Sequence, residues 1–88
     1  MEMARGRIDP RGKFMSNLRS AENAGNITGD DLCDTYAKLY SLVPDNAKHQ
    51  FSSPQEKQQQ FEYGNIVAED ILDDIDFIVA FVPDQHFN

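Results

Sequence analysis

Five carboxylates crowd one stretch of this chain: Glu69, Asp70, Asp73, Asp74 and Asp76. Glu69 with Asp73, and Asp70 with Asp74, stand four residues apart, so on a helix each pair shares a face. Oxygen ligands at that spacing suit a hard cation such as Mg²⁺. Helical enzymes that process diphosphates add a second acidic helix and a phosphate-binding cation. Here the second acidic group could only be Asp30, Asp31 and Asp34, and 88 residues leave little room for such a cavity. A Mg²⁺-dependent carboxylate enzyme is therefore the weakest of three readings. No Ca²⁺ loop is encoded, because neither acidic cluster is followed by the required Gly and terminal Glu. No metal site and no cofactor are expected.

The other usual participants in catalysis are few. Cys33 falls among the apolar positions of a helix and reads as a small buried apolar residue rather than a nucleophile. His49 lies in a linker and His86 in a tail, neither at an offset that defines a dyad with Cys33 or a Cys and His metal spacing. No catalytic residue is assigned, and the chain is expected not to be an enzyme.

The carboxylates have a second meaning. Like charges at i and i+4 cost a few tenths of a kcal/mol per pair, and from Phe61 onward the chain has seven acids and no Lys or Arg. A mundane cause is solubility, together with the helix dipole, which favours acids near a helix start. The functional cause is docking on a basic surface, where carboxylates about 5 to 6 Å apart stand in for phosphates, as in a DNA mimic. Phe77 and Phe81 fall beside Asp70 and Asp74, off the edge of the apolar stripe of the same helix. They make an apolar patch with an acidic rim, the usual anatomy of an interface. The bland alternative covers them with the first helix through Phe14 and Leu18. The candidate partner-binding set is Glu69, Asp70, Asp73, Asp74, Asp76, Phe77 and Phe81, and changing Asp70, Asp73, Asp74 and Asp76 to Asn is expected to leave folding intact.

These residues must be positioned by helices. Asp9-Pro10 is an N-cap followed by Pro at the first helical position, opening a helix to about Ala24, with Gly25 supplying the left-handed residue that ends it. Thr28-Gly29-Asp30-Asp31 matches a capping box, and Leu32, Tyr36, Leu39 and Val43 keep helical spacing until Pro44. Residues 44–52 read as a linker loop with one anchor, Phe51. Ser53-Pro54-Gln55-Glu56 opens a third helix, and Gly64-Asn65 breaks or kinks it. From Ile66 to Val82, taking 100° per residue, Val67, Ala68, Ile71, Leu72, Ile75, Ile78, Val79 and Val82 fall on one core-facing stripe. A rival strand over Ile75 to Val82 has no second strand to pair with.

The fold expected is an all-α, small compact bundle of three to four helices with a basic N-terminal arm over 1–9, an acidic C-terminal helix and a tail over 83–88. Residues 1–20 hold five Lys or Arg against two acids, and residues 21–88 hold three against thirteen, for a net charge of −7. That balance disfavours direct nucleic-acid or anionic-lipid binding by the main domain. The longest apolar run, Phe77 to Val82, is far short of the ~20 residues that span a bilayer. A single Cys and no leader-like start fit a cytoplasmic protein. No internal repeat is visible. The reading is a non-catalytic binding module or inhibitor that engages a basic protein surface of a nucleic-acid-binding or defence protein, a profile shared with small phage-encoded inhibitors. The alternative is a structural homo-oligomer, such as a homodimer, with a solvated acidic face.

Overall fold

A computed structural model describes residues 9–87. The expected N-terminal arm, apart from Asp9, lies outside the described residues. Helix α1 (Pro10–Asn23) opens where Asp9 accepts a hydrogen bond from the Arg11 backbone N–H at 3.2 Å, with Pro10 at N1. Gly25, at φ +76°, ends it: Asn26 N–H donates to the Ala21 carbonyl at 2.9 Å and Gly25 N–H to that of Glu22 at 3.0 Å. That double bond is the Schellman closure, which needs a left-handed residue that glycine adopts without a Cβ clash.

Helix α2 (Gly29–Leu42) begins in a complete capping box. Thr28 Oγ1 accepts from Asp31 N–H at 3.1 Å, and the Asp31 carboxylate accepts from Thr28 N–H at 2.9 Å. Pro44 stops it, but the expected loop over 44–52 holds a helical turn, α3 (Asp45–Lys48). Pro-Asp-Asn suits a helix start as well as a turn, and Ala47 N–H closes onto the Pro44 carbonyl at 2.9 Å. Ser53 caps α4 (Pro54–Glu62), accepting from Glu56 N–H at 3.2 Å. Gly64, at φ +77°, breaks the chain there as its sequence context predicts, with Asn65 N–H bonded to the Gln60 carbonyl at 2.9 Å.

The acidic helix α5 spans Ala68–Val79, shorter at both ends than its apolar stripe. Val67, placed in that stripe on helical angles, is instead the extended N-cap residue and is 60% exposed. The angular argument fails there because the helix has not yet begun. A 3₁₀ turn (Asp84–Phe87) follows. The chain is thus all-helical among the described residues, with five α-helices where three to four were expected. The added helix is the short turn within the linker.

Helices α2 and α5 supply the core. Leu32, Tyr36 and Leu39 from the first, with Val43 at its C-cap, gather with Ile71, Leu72, Ile75 and Ile78 from the second and Val82 beyond its end, each at 6% exposure or less. Each such aliphatic side chain contributes about 1.5 to 3 kcal/mol by leaving water. Helix α4 lies on α2, and at Gly29 a Cβ would run into the Phe61 ring, so this approach requires glycine. Helix α1 buries only Met15 fully, and it meets the chain end through Phe14 and Phe87, whose ring centroids are 5.5 Å apart.

Candidate functional site

Burial of Ile71, Leu72, Ile75, Ile78 and Val79 fixes the rotation of α5. Glu69, Asp70, Asp73, Asp76 and Phe77 consequently face solvent, while Asp74 and Phe81 are half-buried. Six of the seven candidate residues share α5 and Phe81 lies just past its C-cap, but the carboxylates have distinct tasks.

Asp70 accepts from Val67 N–H at 3.0 Å and so caps its own helix. Asp73 and Asp76 lie 3.5 and 3.3 Å from Arg19 Nη2 on α1. Asp74 pairs with Lys57 Nζ on α4. The segment from Phe61 onward contains no Lys or Arg, yet three cations from earlier helices, Arg11 on Asp84, Arg19 and Lys57, offset its acids. The Arg19 pairs are exposed and worth about 0 to 1 kcal/mol each. The Lys57 pair differs, because Lys57 is only 6% exposed. Its ammonium sits 5.4 Å from the centroid of the Tyr36 ring, and Tyr36 Oη donates to the Ser52 carbonyl at 2.7 Å. Burial, followed by the nearby Asp74 charge, pushes the Tyr36 phenol up to about 12. The bonds of Asp70 and Asp74 bear against the expectation that Asp→Asn changes leave folding intact at those two positions. Both make structural bonds; Asp73 and Asp76 make only exposed pairs.

Phe77 and Phe81 do lie off the core edge beside the acids. Phe51, the linker anchor, packs on both, while Phe14 of α1 pairs with Phe87. Phe51 stands 5.2 Å from Phe77 and 5.2 Å from Phe81 between ring centroids, and Phe77 stands 5.6 Å from Phe81. Tilted and edge-on rings at these distances are favourable. The cluster leaves Phe77 52% exposed. Asp73 and Asp74, one turn earlier on α5, border it. Phe51 belongs to this site although residue spacing could not assign it, since it lies in a different segment. Its signal was a lone aromatic in an otherwise polar stretch.

Cys33 is buried, and burial, reinforced by Asp30 and Asp34, pushes its thiol up, so it is not held as a thiolate. Among the described residues no three His, Cys, Asp or Glu side chains converge on a point that could hold a metal ion. No helix of the described residues is long and apolar enough to cross a membrane. The arrangement offers an outward aromatic ring with carboxylates around it. Comparison with protein-family models, with curated proteins and with solved structures finds no match to this chain.

Proposed function

We propose that the protein is a non-catalytic binding module or inhibitor that engages a basic surface of a nucleic-acid-binding or defence protein through the outer face of α5. Phe77 is the anchor, backed by Phe51 and Phe81, and Glu69, Asp73 and Asp76 form the acidic rim. The half-exposed Phe77 carries this reading, because an aromatic held on an aromatic base and left half in water is the form of a binding hot spot. The exposed Arg19 pairs suit it too. They are weak enough to be exchanged for Lys or Arg of a partner, so the rim can act in the DNA-mimic manner.

The test is affinity capture with the immobilised protein, its Phe77→Ala variant and its Glu69→Gln variant, at about 0.1 M and then about 0.5 M salt, with the retained protein identified. The unmodified protein should hold a basic nucleic-acid-binding protein at low salt and release it at high salt. Phe77→Ala should lose it while keeping the helical circular dichroism of the folded domain, and Glu69→Gln should weaken it. Undiminished retention of the same partner by Phe77→Ala would refute the assignment.

A further inference from the structure

The two Gly-Asn-Ile triplets, Gly25-Asn26-Ile27 and Gly64-Asn65-Ile66, lie 39 residues apart. At that same offset Asp31 matches Asp70, Asp34 matches Asp73, and Val43-Pro44-Asp45 matches Val82-Pro83-Asp84. The absence of a visible repeat, expected from sequence, is thus corrected. The matches are scattered turn and cap residues, while the helices that precede them differ in composition and length.

The structure repeats at the same offset. Both triplets follow a helix closed by the same pair of bonds: Asn26 to Ala21 and Gly25 to Glu22 in the first, Asn65 to Gln60 and Gly64 to Phe61 in the second. In both, an acid three residues into the next helix binds the N-cap backbone N–H, at 2.9 Å for Thr28 and 3.0 Å for Val67. The buried set Leu32, Cys33, Tyr36, Leu39 and Val43 falls 39 residues before Ile71, Leu72, Ile75, Ile78 and Val82. From 24/63 to 48/87 the degree of burial agrees at every pair except 37/76, 40/79 and 47/86. After each Val-Pro a single helical turn follows, closed by Ala47 N–H on Pro44 at 2.9 Å and His86 N–H on Pro83 at 3.1 Å. Even the grooves correspond. Met15, Ser16, Arg19 and Ser20 line one between α1 and α5 of about 630 Å³, and Pro54, Gln55, Gln58 and Gln59 line one between α4 and α2 of about 400 Å³.

The principal packing contacts all run between the two halves: α2 on α5, α2 on α4, α1 on α5, and α1 on the 3₁₀ turn. Exchanging the halves maps the contact of α1 with α5 onto that of α4 with α2, and maps α2 with α5 onto itself; only the contact of α1 with the 3₁₀ turn lacks a counterpart of similar extent, between α4 and α3. A contact that maps onto itself is the signature of a two-fold, isologous interface. Neither half covers its own apolar stripe.

We propose that the chain is a tandem duplication of one helix–turn–helix unit, residues 10–48 and 49–87. The face that each unit turns to the other is self-complementary, and its alternative occupant is the opposite unit of a second copy of this chain. Nothing in the interface distinguishes a unit tethered through residues 48–53 from the same unit on another molecule, so exchange conserves every contact and changes only which chain supplies it.

Complementation in the full-length chain tests this. One variant disables the first unit (Leu32→Asp with Leu39→Asp) and the other disables the second (Ile71→Asp with Ile78→Asp), each placing two carboxylates where the native side chains are 6% exposed or less. Each alone should lose its helical circular dichroism. Refolded together in equal amounts, they should regain about half the signal of the same quantity of unmodified protein and run at twice the chain mass, because two chains then assemble one intact domain. A mixture whose signal stays at the mean of the separately refolded variants would overturn the proposal. The readout is helix content and mass, so it is independent of whether Phe77 binds a partner.

Discussion

The pair formed by Lys57 and Asp74 is asymmetric, and the asymmetry sets the order of two substitutions. Lys57 is 6% exposed, whereas the Asp74 side chain is 44% exposed. Asp74→Asn leaves a nearly dry ammonium without its counter-charge, facing only an amide oxygen and the Tyr36 ring. Losing a hydrogen bond between charged groups costs about 1.5 to 3 kcal/mol, and a fully buried pair broken from one side costs about 3 to 5. Water at Asp74 places this site near 2 kcal/mol. Lys57→Met keeps the packing of the stem and removes the ammonium that had to be desolvated, while Asp74 can turn to solvent. Its cost should stay within about 1 kcal/mol. In a domain of this size about 1 kcal/mol moves the melting temperature by roughly 4 to 8 °C. Thermal and urea unfolding should therefore rank Asp74→Asn well below Lys57→Met, with the double variant close to Lys57→Met alone. If Lys57→Met proves as damaging as Asp74→Asn, the ammonium contributes net stability, and the argument from desolvation is wrong.

The Tyr36 phenol, raised from 10.0 to about 12, keeps its proton in the folded chain where the unfolded chain has lost it. Stability should be undiminished below pH 10 and fall as pH climbs from 10 toward 12, by about 2 kcal/mol over that window. Urea unfolding at pH 9 and pH 11 reads this, and Tyr36→Phe should remove most of the difference; an equal drop in both proteins would assign it elsewhere. At Gly29 the Phe61 ring occupies the place of a Cβ. Gly29→Ala should therefore destabilise by about 1 to 3 kcal/mol despite alanine's better helix propensity, as measured by the urea midpoint. A gain in stability would show that α4 can move aside at no cost.

Local signals carried much of the architecture. The Thr28 and Asp31 box, the Asp9-Pro10 and Ser53-Pro54 starts and the two glycine closures are satisfied within a few residues of themselves, so residue types at short spacing suffice to find them. The core stripe of α5 was equally legible, because Ile71, Ile75 and Ile78 keep the helical period. What could not be read was pairing across the fold. Arg19 reaches Asp73 over 54 residues and Lys57 reaches Asp74 over 17, and no local pattern announces either. Phe51 joined the candidate site for the same reason, arriving from a separate segment. The acids on α5 looked uniform in sequence, yet the folded chain divides them into a cap, a half-buried ion pair and an exposed rim.

Arg11 gives the molecule an unusual closure. Its Nε donates to the Val79 carbonyl at 2.7 Å, its Nη2 to that of Val82, and its Nη1 pairs with Asp84. The first turn of α1 is thereby laced to the end of α5 and the 3₁₀ turn that follows, and Phe14 on Phe87 seals the same seam. In the cyclic order of the halves, this seam is the non-covalent counterpart of the covalent step from Lys48 to His49. The described polypeptide is, in topological terms, a ring of two links in which one joint is a peptide bond and the other a guanidinium. A chain opened at the first joint and joined at the second would traverse the same ring from the opposite starting point.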